Sequence, residues 1–190
     1  MSSRDLSLIE ECLEGRLDAF GELIQPYQDR IFNTIYRMTG STDDAAELLQ
    51  EAMIRAFRGL KSYQADSAFY TWLYRIALNV VFSNRRRRRV RTVRAEDLSL
   101  GRLDPPDVAE RSRPSRNLEV AEQREIIQQA LEEVPEPYRA VLVLKDIEGL
   151  KYEEIAEILD IPLGTVRSRL HRARSDMRDR LKPLLDAGSL

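Results

Sequence analysis

The segment 69–81 constrains the fold most strongly. Its apolar residues, spaced three and four apart, are Phe69, Trp72, Leu73, Ile76, Ala77, Val80 and Val81. This spacing places all of them on one side of an α-helix. Stripes of the same period recur before and after this segment, and the 8 glycines and 8 prolines of the whole chain are few for the many turns of a β-sandwich or barrel. The sequence therefore predicts an all-α fold.

Two helical segments flank a stretch of different composition. Residues 95–117 contain Gly101, Pro105, Pro106 and Pro114 and show no sustained helical period, which is typical of a linker. The segments 1–94 and 118–190 are each long enough for a small domain. We therefore predict two small helical domains, 1–94 and 118–190, joined by a flexible linker at 95–117.

Several residues predict where helices of the first domain begin and end. Pro26 is expected to separate two helices, and Gly40 is expected to end the second of them. Ser41 is expected to cap the helix that follows. Asp66 or Ser67 is expected to cap the long helix that carries the strongest apolar stripe.

The formal net charge of -2 conceals strongly segregated charges. Residues 69–94 hold eight basic side chains and no acid, and residues 161–174 hold four arginines and His171, again with no acid. Two basic surfaces indicate two contacts with a polyanion, because neutralisation of phosphates drives nucleic-acid affinity. A solvated, arginine-rich helix end explains either surface equally well when it is taken alone.

The polar side of the long helix suits nucleic-acid recognition. One face, which leads into the arginine run 85–89, carries Arg75, Asn79, Ser83 and Arg86. An asparagine among arginines suits hydrogen bonding to a base edge, framed by phosphate contacts. In the loop before the helix, Tyr63 offers an aromatic face on which an unpaired base can stack.

Residues 152–177 have the pattern of a helix-turn-helix. A short amphipathic helix is followed by a turn at Asp160 to Pro162 and by a second helix from about Gly164. The stripe that buries the second helix on the first is predicted to be Val166, Leu170, Ala173 and Met177. Plain helical hairpins of this length also occur, but the outward face is rich in arginine and therefore favours insertion into a DNA major groove. Its candidate residues are Thr165, Arg167, Ser168, His171, Arg172 and Arg174.

The residue content argues against several classes of function. One cysteine, Cys12, and one histidine, His171, exclude an internal disulfide and a thiolate or histidine metal site. No Walker-type loop and no catalytic nucleophile set is present, so we expect neither an enzyme nor a cofactor. The apolar runs fall far short of the roughly 20 residues that cross a bilayer. Since charges also interrupt the N-terminus at Arg4, Asp5 and Glu10, we expect a cytoplasmic protein without membrane insertion.

Three blocks of the sequence resemble a known family. They are residues 44–51, 66–79 and 152–174, the last with Gly164 to Arg169 at its centre. In this order they are similar to the bacterial RNA polymerase sigma factors of the extracytoplasmic-function (ECF) group, σE-like or σW-like members of the sigma-70 family that contain only the second and fourth sigma domains. The resemblance covers nearly the whole chain.

The resemblance implies a transcription initiation factor. Such a factor binds core RNA polymerase, directs it to promoters through the -35 and -10 elements, and assists promoter opening. Residues 1–94 would be sigma domain 2 and residues 118–190 sigma domain 4. The implied partners are the β′ clamp helices and the β flap of core polymerase, promoter DNA and an anti-sigma factor.

The resemblance also implies roles for particular residues. The pattern alone makes the exposed side of the helix after Ser41 an ordinary solvated face, whereas the resemblance makes it the polymerase contact. Polymerase-binding residues would be Asp44, Glu47, Gln50, Glu51 and Ile54. Contacts to the -10 element would come from Tyr63, Arg75, Asn79, Ser83, Arg85 and Arg86, and contacts to the -35 element from the outward face of the helix-turn-helix.

A freestanding helix-turn-helix regulator is the alternative interpretation. Such a protein would use the same C-terminal domain, but it would normally dimerise and would need no second, different DNA-contacting domain. Whether the purified chain binds a promoter alone or only together with core polymerase distinguishes the two.

Overall fold

The structure, a computed structural model, describes residues 3–97 and 118–186, with side chains described for 4–90 and 123–183. All regular elements in these residues are helical, which confirms the predicted all-α fold. The first group is α1 (Ser3–Leu13), α2 (Leu17–Thr39), α3 (Thr42–Gly59), a short 3-10 turn (Leu60–Ser62) and α4 (Phe69–Asp97). The second group is α5 (Leu118–Glu133), α6 (Glu136–Leu142), a π-helical segment (Val143–Ile147), α7 (Tyr152–Leu159) and α8 (Leu163–Asp186). The predicted linker lies outside the described residues, except that 95–97 continue α4.

The N-terminal helices pack through their apolar sides, and on α4 these include the stripe that the sequence predicted. Side chains buried at this junction of α2, α3 and α4 include Leu23, Ile31, Ile35, Leu48, Ala52, Leu73, Ala77 and Val80. Trp72, on the same stripe of α4, is also buried. Burial of each large apolar side chain contributes roughly 1.5–3 kcal/mol, so the long stripe of α4 holds that helix against its neighbours. A second side of α4, with Thr71, Tyr74 and Leu78, is also buried, because α4 packs against α7 there.

Pro26 lies inside α2, so the prediction of two helices separated at this residue is wrong. α2 is one helix of 23 residues, and Pro26 is exposed on its outer side. A proline within a helix costs about 3 kcal/mol because it lacks an N–H and crowds the preceding turn. Leu23 and Ile31, on either side of Pro26, are both buried in the same core. Their burial, at roughly 1.5–3 kcal/mol each, offsets that cost.

The start of α4 also differs from the prediction. The helix begins at Phe69, and the amide of Trp72 donates to the carbonyl of Ala68 at 3.2 Å, so Ala68 occupies the N-cap position. Neither Asp66 nor Ser67 is the cap. The carbonyl of Ser67 instead accepts a hydrogen bond from the hydroxyl of Tyr63 at 2.6 Å, because the loop folds back on itself.

The junction between α2 and α3 is built as the sequence predicted. Gly40 ends α2 in the left-handed region, with φ 78°, where a side chain would be strained. The next residue, Ser41, is extended, and its Oγ accepts a hydrogen bond from the amide of Asp44 at 3.2 Å. This cap satisfies an amide that the helix itself leaves without a partner.

Replacing Ser41 with alanine is expected to lower the free energy of unfolding by about 1 kcal/mol, because the Asp44 amide loses its acceptor. Chemical denaturation followed by circular dichroism measures the change. Thr42→Ala is the matched control, because Thr42 is the neighbouring exposed hydroxyl residue and does not occupy the cap position. Equal losses in the two variants would contradict a role specific to the cap.

The C-terminal helices form the predicted helix-turn-helix. α7 ends at Leu159, the next residue, Asp160, adopts the left-handed conformation with φ 51°, and α8 follows after a short turn. Val166, Leu170 and Ala173 of α8 are buried, and Met177 is half-buried, as the apolar stripe predicted. The stripe therefore determines which side of α8 faces outward.

The two groups of helices are docked on each other. α2 and α4 contact α5, α7 and the π-helical segment, and the buried side chains of both groups form one apolar cluster. Within the described part of the chain, no helix has both the length and the apolar character that a membrane span requires.

Candidate nucleic-acid and polymerase interfaces

One side of α3 combines acidic, amide and apolar side chains. Glu47 and Gln50 are exposed, and Ile54 is 45% exposed although it is a large apolar residue. These residues line a shallow groove together with Glu51, Arg55 and Arg58. An apolar side chain in a polar, solvent-facing groove suits contact with another macromolecule.

Two carboxylates of this side are already paired with the arginine run of α4. Arg88 donates to both oxygens of Asp44, at 2.6 and 2.8 Å, and this hydrogen bonding raises the pKa of Arg88. Glu51 lies 3.4 Å from Arg87 and also pairs with Arg55 on its own helix. Such exposed ion pairs contribute no more than about 1 kcal/mol each, so a competing phosphate or carboxylate can displace them.

The outer face of α4 carries the residues assigned to the -10 element. Asn79 and Arg86 are exposed, and the Asn79 side chain makes no hydrogen bond to any described residue. Arg75 and Ser83 are half-buried on the same face. Arg85 points toward the second group of helices, with its guanidinium 3.7 Å from the carboxylate of Glu136.

Tyr63 is held by its loop instead of standing free in solvent. Its ring lies against Phe69 and Trp72, with centroid separations of 5.8 and 5.2 Å. Burial raises the pKa of the Tyr63 hydroxyl, which stays protonated and donates to the Ser67 carbonyl. The half-buried ring therefore stiffens the loop that leads into α4 while leaving part of its surface accessible.

The outward face of α8 presents a second basic surface. Arg167, Ser168, His171 and Arg172 are all exposed, and Thr165 beside them is half-buried. The Ser168 hydroxyl donates to the carbonyl of Thr165 at 3.1 Å, and Arg172 donates to the hydroxyl of Tyr138 at 3.3 Å. The structure therefore brings these five residues together on one helix, as the sequence predicted.

Arg174, the sixth residue assigned to the -35 element, is instead paired with an acidic residue of its own domain. It donates to both oxygens of Asp146 in the π-helical segment, at 2.6 and 2.9 Å, and this hydrogen bonding raises the pKa of Arg174. A bidentate pair of this kind fixes the direction of the guanidinium. Arg174 thus braces α8 on its own domain.

Comparison with known proteins agrees with this geometry. The Sigma-70 region 2 family matches residues 23–91, and the Sigma-70, region 4 family matches residues 124–177. The ECF RNA polymerase sigma-E factor of Escherichia coli (strain K12) is 38% identical over 188 residues, which cover 95% of this chain and 96% of that protein. This chain belongs to the ECF sigma factors. The RNA polymerase sigma-H factor of Pseudomonas aeruginosa is likewise 38% identical over 186 residues, covering 96% of each chain.

Solved sigma-factor structures share the fold. The sigma factor RpoE of Bartonella quintana, in complex with the anti-sigma factor NepR, has a TM-score of 0.69 at 22% identity and covers 87% of this chain and 98% of its own. CnrH, in complex with the cytosolic domain of CnrY, has a TM-score of 0.68 at 24% identity and covers 97% and 99%.

As an ECF sigma factor, this protein directs core RNA polymerase to promoters, and its partners are core polymerase and promoter DNA. The interpretation as a freestanding helix-turn-helix regulator is not favoured, because the region 2 family matches the whole of α3 and most of α2 and α4 in addition to the helix-turn-helix match.

A polar cluster that the sequence of this sigma factor did not predict lies between the two groups of helices. Glu148, just after the π-helical segment, accepts hydrogen bonds from Tyr74 at 2.6 Å, from Thr34 at 2.9 Å and from Arg30 at 3.1 Å. The one local signal was Thr34, a polar residue beside Ile35 on an otherwise apolar stripe. A buried hydroxyl requires a partner, but the stripe does not say which residue supplies it.

Proposed function

We propose that this ECF sigma factor uses three helices for three separate contacts: α3 for core polymerase, α4 for the -10 element and α8 for the -35 element. The observation that carries the proposal is that each helix buries its apolar stripe and leaves a different polar chemistry in solvent. In this proposal residues 1–94 act as sigma domain 2 and residues 118–190 as sigma domain 4.

The α4 contact is proposed from the chemistry of its exposed side chains. The Asn79 amide can donate and accept at the same time, which suits paired hydrogen bonds to a base. Arg86 and the rest of the run add positive charge that neutralises phosphates without sequence preference. Arg75 and Ser83 complete the face, and Tyr63 supports the loop beside it. Arg85 is proposed to join them once it leaves Glu136.

The α8 contact is proposed from its position as the second helix of the helix-turn-helix. In such units this helix enters the major groove and its N-terminal residues meet base edges. Arg167, Ser168, His171 and Arg172 are exposed there in two successive turns. The hydrogen bond from Ser168 to Thr165 and the Arg174 pair with Asp146 hold this face in place.

The α3 contact is proposed to fall on the β′ clamp helices of the polymerase, with the β flap meeting sigma domain 4. Glu47, Gln50 and Ile54 offer charge, hydrogen bonding and apolar area at one groove. Asp44 and Glu51 are proposed to contribute when they exchange Arg88 and Arg87 for a polymerase side chain.

An anti-sigma factor is also proposed as a partner. The structural relative RpoE is held in a complex with the anti-sigma factor NepR, and we extend this kind of control to the present chain. We further propose that the protein acts in the cytoplasm and is not an enzyme. Opening of the promoter would then draw on binding energy instead of nucleotide hydrolysis.

Run-off transcription with core polymerase on genomic fragments tests the proposed function, with mapping of the start sites. Addition of the protein is expected to produce discrete transcripts whose start sites share upstream elements near -35 and -10, which core polymerase alone does not produce. A chain that protects a promoter equally well without polymerase, as a dimer, would support a freestanding regulator instead.

A further inference from the structure

Glu148 is an enclosed carboxylate at the contact between the two groups of helices. Its side chain is only 5% exposed, and its oxygens accept hydrogen bonds from Tyr74, Thr34 and Arg30. The Arg30 guanidinium also donates to the backbone carbonyl of Glu148 at 3.0 Å. All three donors lie in α2 and α4, whereas Glu148 belongs to the C-terminal group, so each of these bonds crosses the contact.

The surroundings keep the donors of this cluster in their hydrogen-bonding states. Burial, together with the hydrogen bond to Glu148, raises the pKa of Tyr74 far above its usual range, so the hydroxyl keeps its proton. A carboxylate removed from water requires such donors, because burial without them costs several kcal/mol. Here they are supplied by the other domain, so the enclosed position of Glu148 depends on docking.

Further polar contacts surround this cluster. Arg139 of α6 is buried and donates to the carbonyl of Met38 at 2.8 Å, near the end of α2. Burial lowers the pKa of Arg139 to about 10, which leaves it charged at neutral pH. Arg37 donates to Gln128 of α5 at 3.2 Å, and the contact therefore extends from the π-helical segment to the end of α2.

The docked arrangement brings the two proposed DNA-reading helices close together. α4 packs against α7, and α7 packs against α8. Packed helices have axes about 8–10 Å apart, so α8 approaches the axis of α4 to within roughly 20 Å. The -10 and -35 elements are separated by about 25 base pairs, or roughly 85 Å at 3.4 Å per pair. The docked chain cannot place both helices on their elements at once.

We infer that the free sigma factor closes on itself, and that Glu148 is the latch of this closed state. The face of α2 and α4 around Arg30, Thr34 and Tyr74 is the docking surface, and its occupant is the chain's own C-terminal domain. Closure competes with promoter recognition. The competition rests on the proposed function, whereas the latch itself rests only on the contacts of Glu148.

Small-angle X-ray scattering of the full chain tests the latch. Wild type is expected to have a radius of gyration of about 16 Å, the value for a compact chain of 190 residues. Glu148→Ala removes the acceptor at the centre of the contact and is expected to raise this radius by several ångströms. Glu153→Ala, at an exposed glutamate on the neighbouring helix α7, is the matched control and should leave the radius unchanged.

The competition is tested by titrating each variant into core polymerase and a fluorescent promoter fragment. Because the apparent affinity scales with the open fraction, Glu148→Ala is expected to raise it about tenfold. Tyr74→Phe removes only the hydroxyl that donates to Glu148 and keeps the buried ring. Tyr74→Phe should also raise the radius of gyration and the apparent promoter affinity. Circular dichroism should show native helicity for every variant.

Different outcomes overturn different statements. An extended wild-type chain in scattering, or a Glu148→Ala variant as compact as wild type, would overturn the latch. A variant that expands without any gain in apparent promoter affinity would overturn the competition. Failure of the proposed function is distinguishable from both, since it would appear as absence of promoter-specific transcripts with wild type and all variants.

Discussion

Combining Glu47→Lys with Ile54→Asp is expected to lower the affinity of the sigma factor for core RNA polymerase by about 100-fold. The first change reverses a charge, and the second places a charge where an apolar contact is proposed. Together these losses are worth about 3 kcal/mol or more. Both side chains are exposed, so the fold should tolerate the changes. Biolayer interferometry with immobilised core polymerase measures the affinity.

The chain offers a closely matched control for this pair. Glu10 and Leu6 on α1 are also an exposed glutamate and an exposed aliphatic residue on one helix, and Leu6 is exposed to nearly the same extent as Ile54. Glu10→Lys with Leu6→Asp should leave polymerase affinity unchanged. If both pairs weaken binding equally, the effect is one of net charge or of folding, and the α3 assignment is wrong. Asp44 and Glu51 are less suitable, because changing them also releases Arg88 and Arg87.

Features of this fold that depend on residues close together in the sequence were predictable, whereas features that depend on distant residues were not. The apolar stripes of α4 and α8 predicted one buried side of each helix, because a helix repeats every three to four residues and the stripe can be recognised from neighbouring residues. The Ser41 cap was predictable for the same reason, since its partner is three residues away. The second buried side of α4, which packs on α7, was not predicted. Pro26 does not break α2, contrary to the local pattern, because its cost is outweighed by core contacts that Leu23 and Ile31 make with other helices.

The candidate sites also divide into features that neighbouring residues predict and features that depend on distant residues. Exposure of Asn79 on α4 and of Arg172 on α8 agrees with their positions outside the apolar stripes. The pairing of Arg88 with Asp44 was not predictable, because the two residues are 44 positions apart and belong to faces that the sequence presents separately. The Glu148 cluster is even harder to predict from the sequence. Its bonds to Tyr74 and Arg30 span 74 and 118 positions, over which no periodic pattern specifies register.

Asn79→Ala and Arg172→Ala are expected to fail at different steps of initiation. Loss of a base contact costs on the order of 1–3 kcal/mol, or about 5-fold to 150-fold in the affected equilibrium. Asn79 lies on the proposed -10 helix, so its replacement should impair strand opening while the -35 footprint remains. Arg172 lies on the proposed -35 helix, so its replacement should weaken the closed complex and reduce discrimination at that element. Permanganate footprinting and binding titrations measure the two steps.

Two matched control variants distinguish the loss of a base contact from a general effect on folding or charge. Asn33→Ala replaces an exposed asparagine on α2, and Arg178→Ala replaces an exposed arginine further along α8. Neither should affect opening or -35 discrimination. Stability should also change little in the two test variants, since Asn79 has no hydrogen bond to a described residue and Arg172 has only a long, exposed one to Tyr138.

Replacing arginines of the run 85–89 is expected to have a third effect, different from those of Asn79→Ala and Arg172→Ala. Arg86 and Arg89 are exposed on α4 and line a groove beside Phe82. Replacing both with alanine should weaken binding to all sequences alike and reduce the slope of log affinity against log salt by about 2, because phosphate contacts release counterions but carry no sequence information. Promoter discrimination should therefore survive in this variant. If Asn79→Ala and Arg172→Ala instead failed at the same step and the same element, α4 and α8 would not be separate readers, and the assignment of two elements to two helices would be wrong.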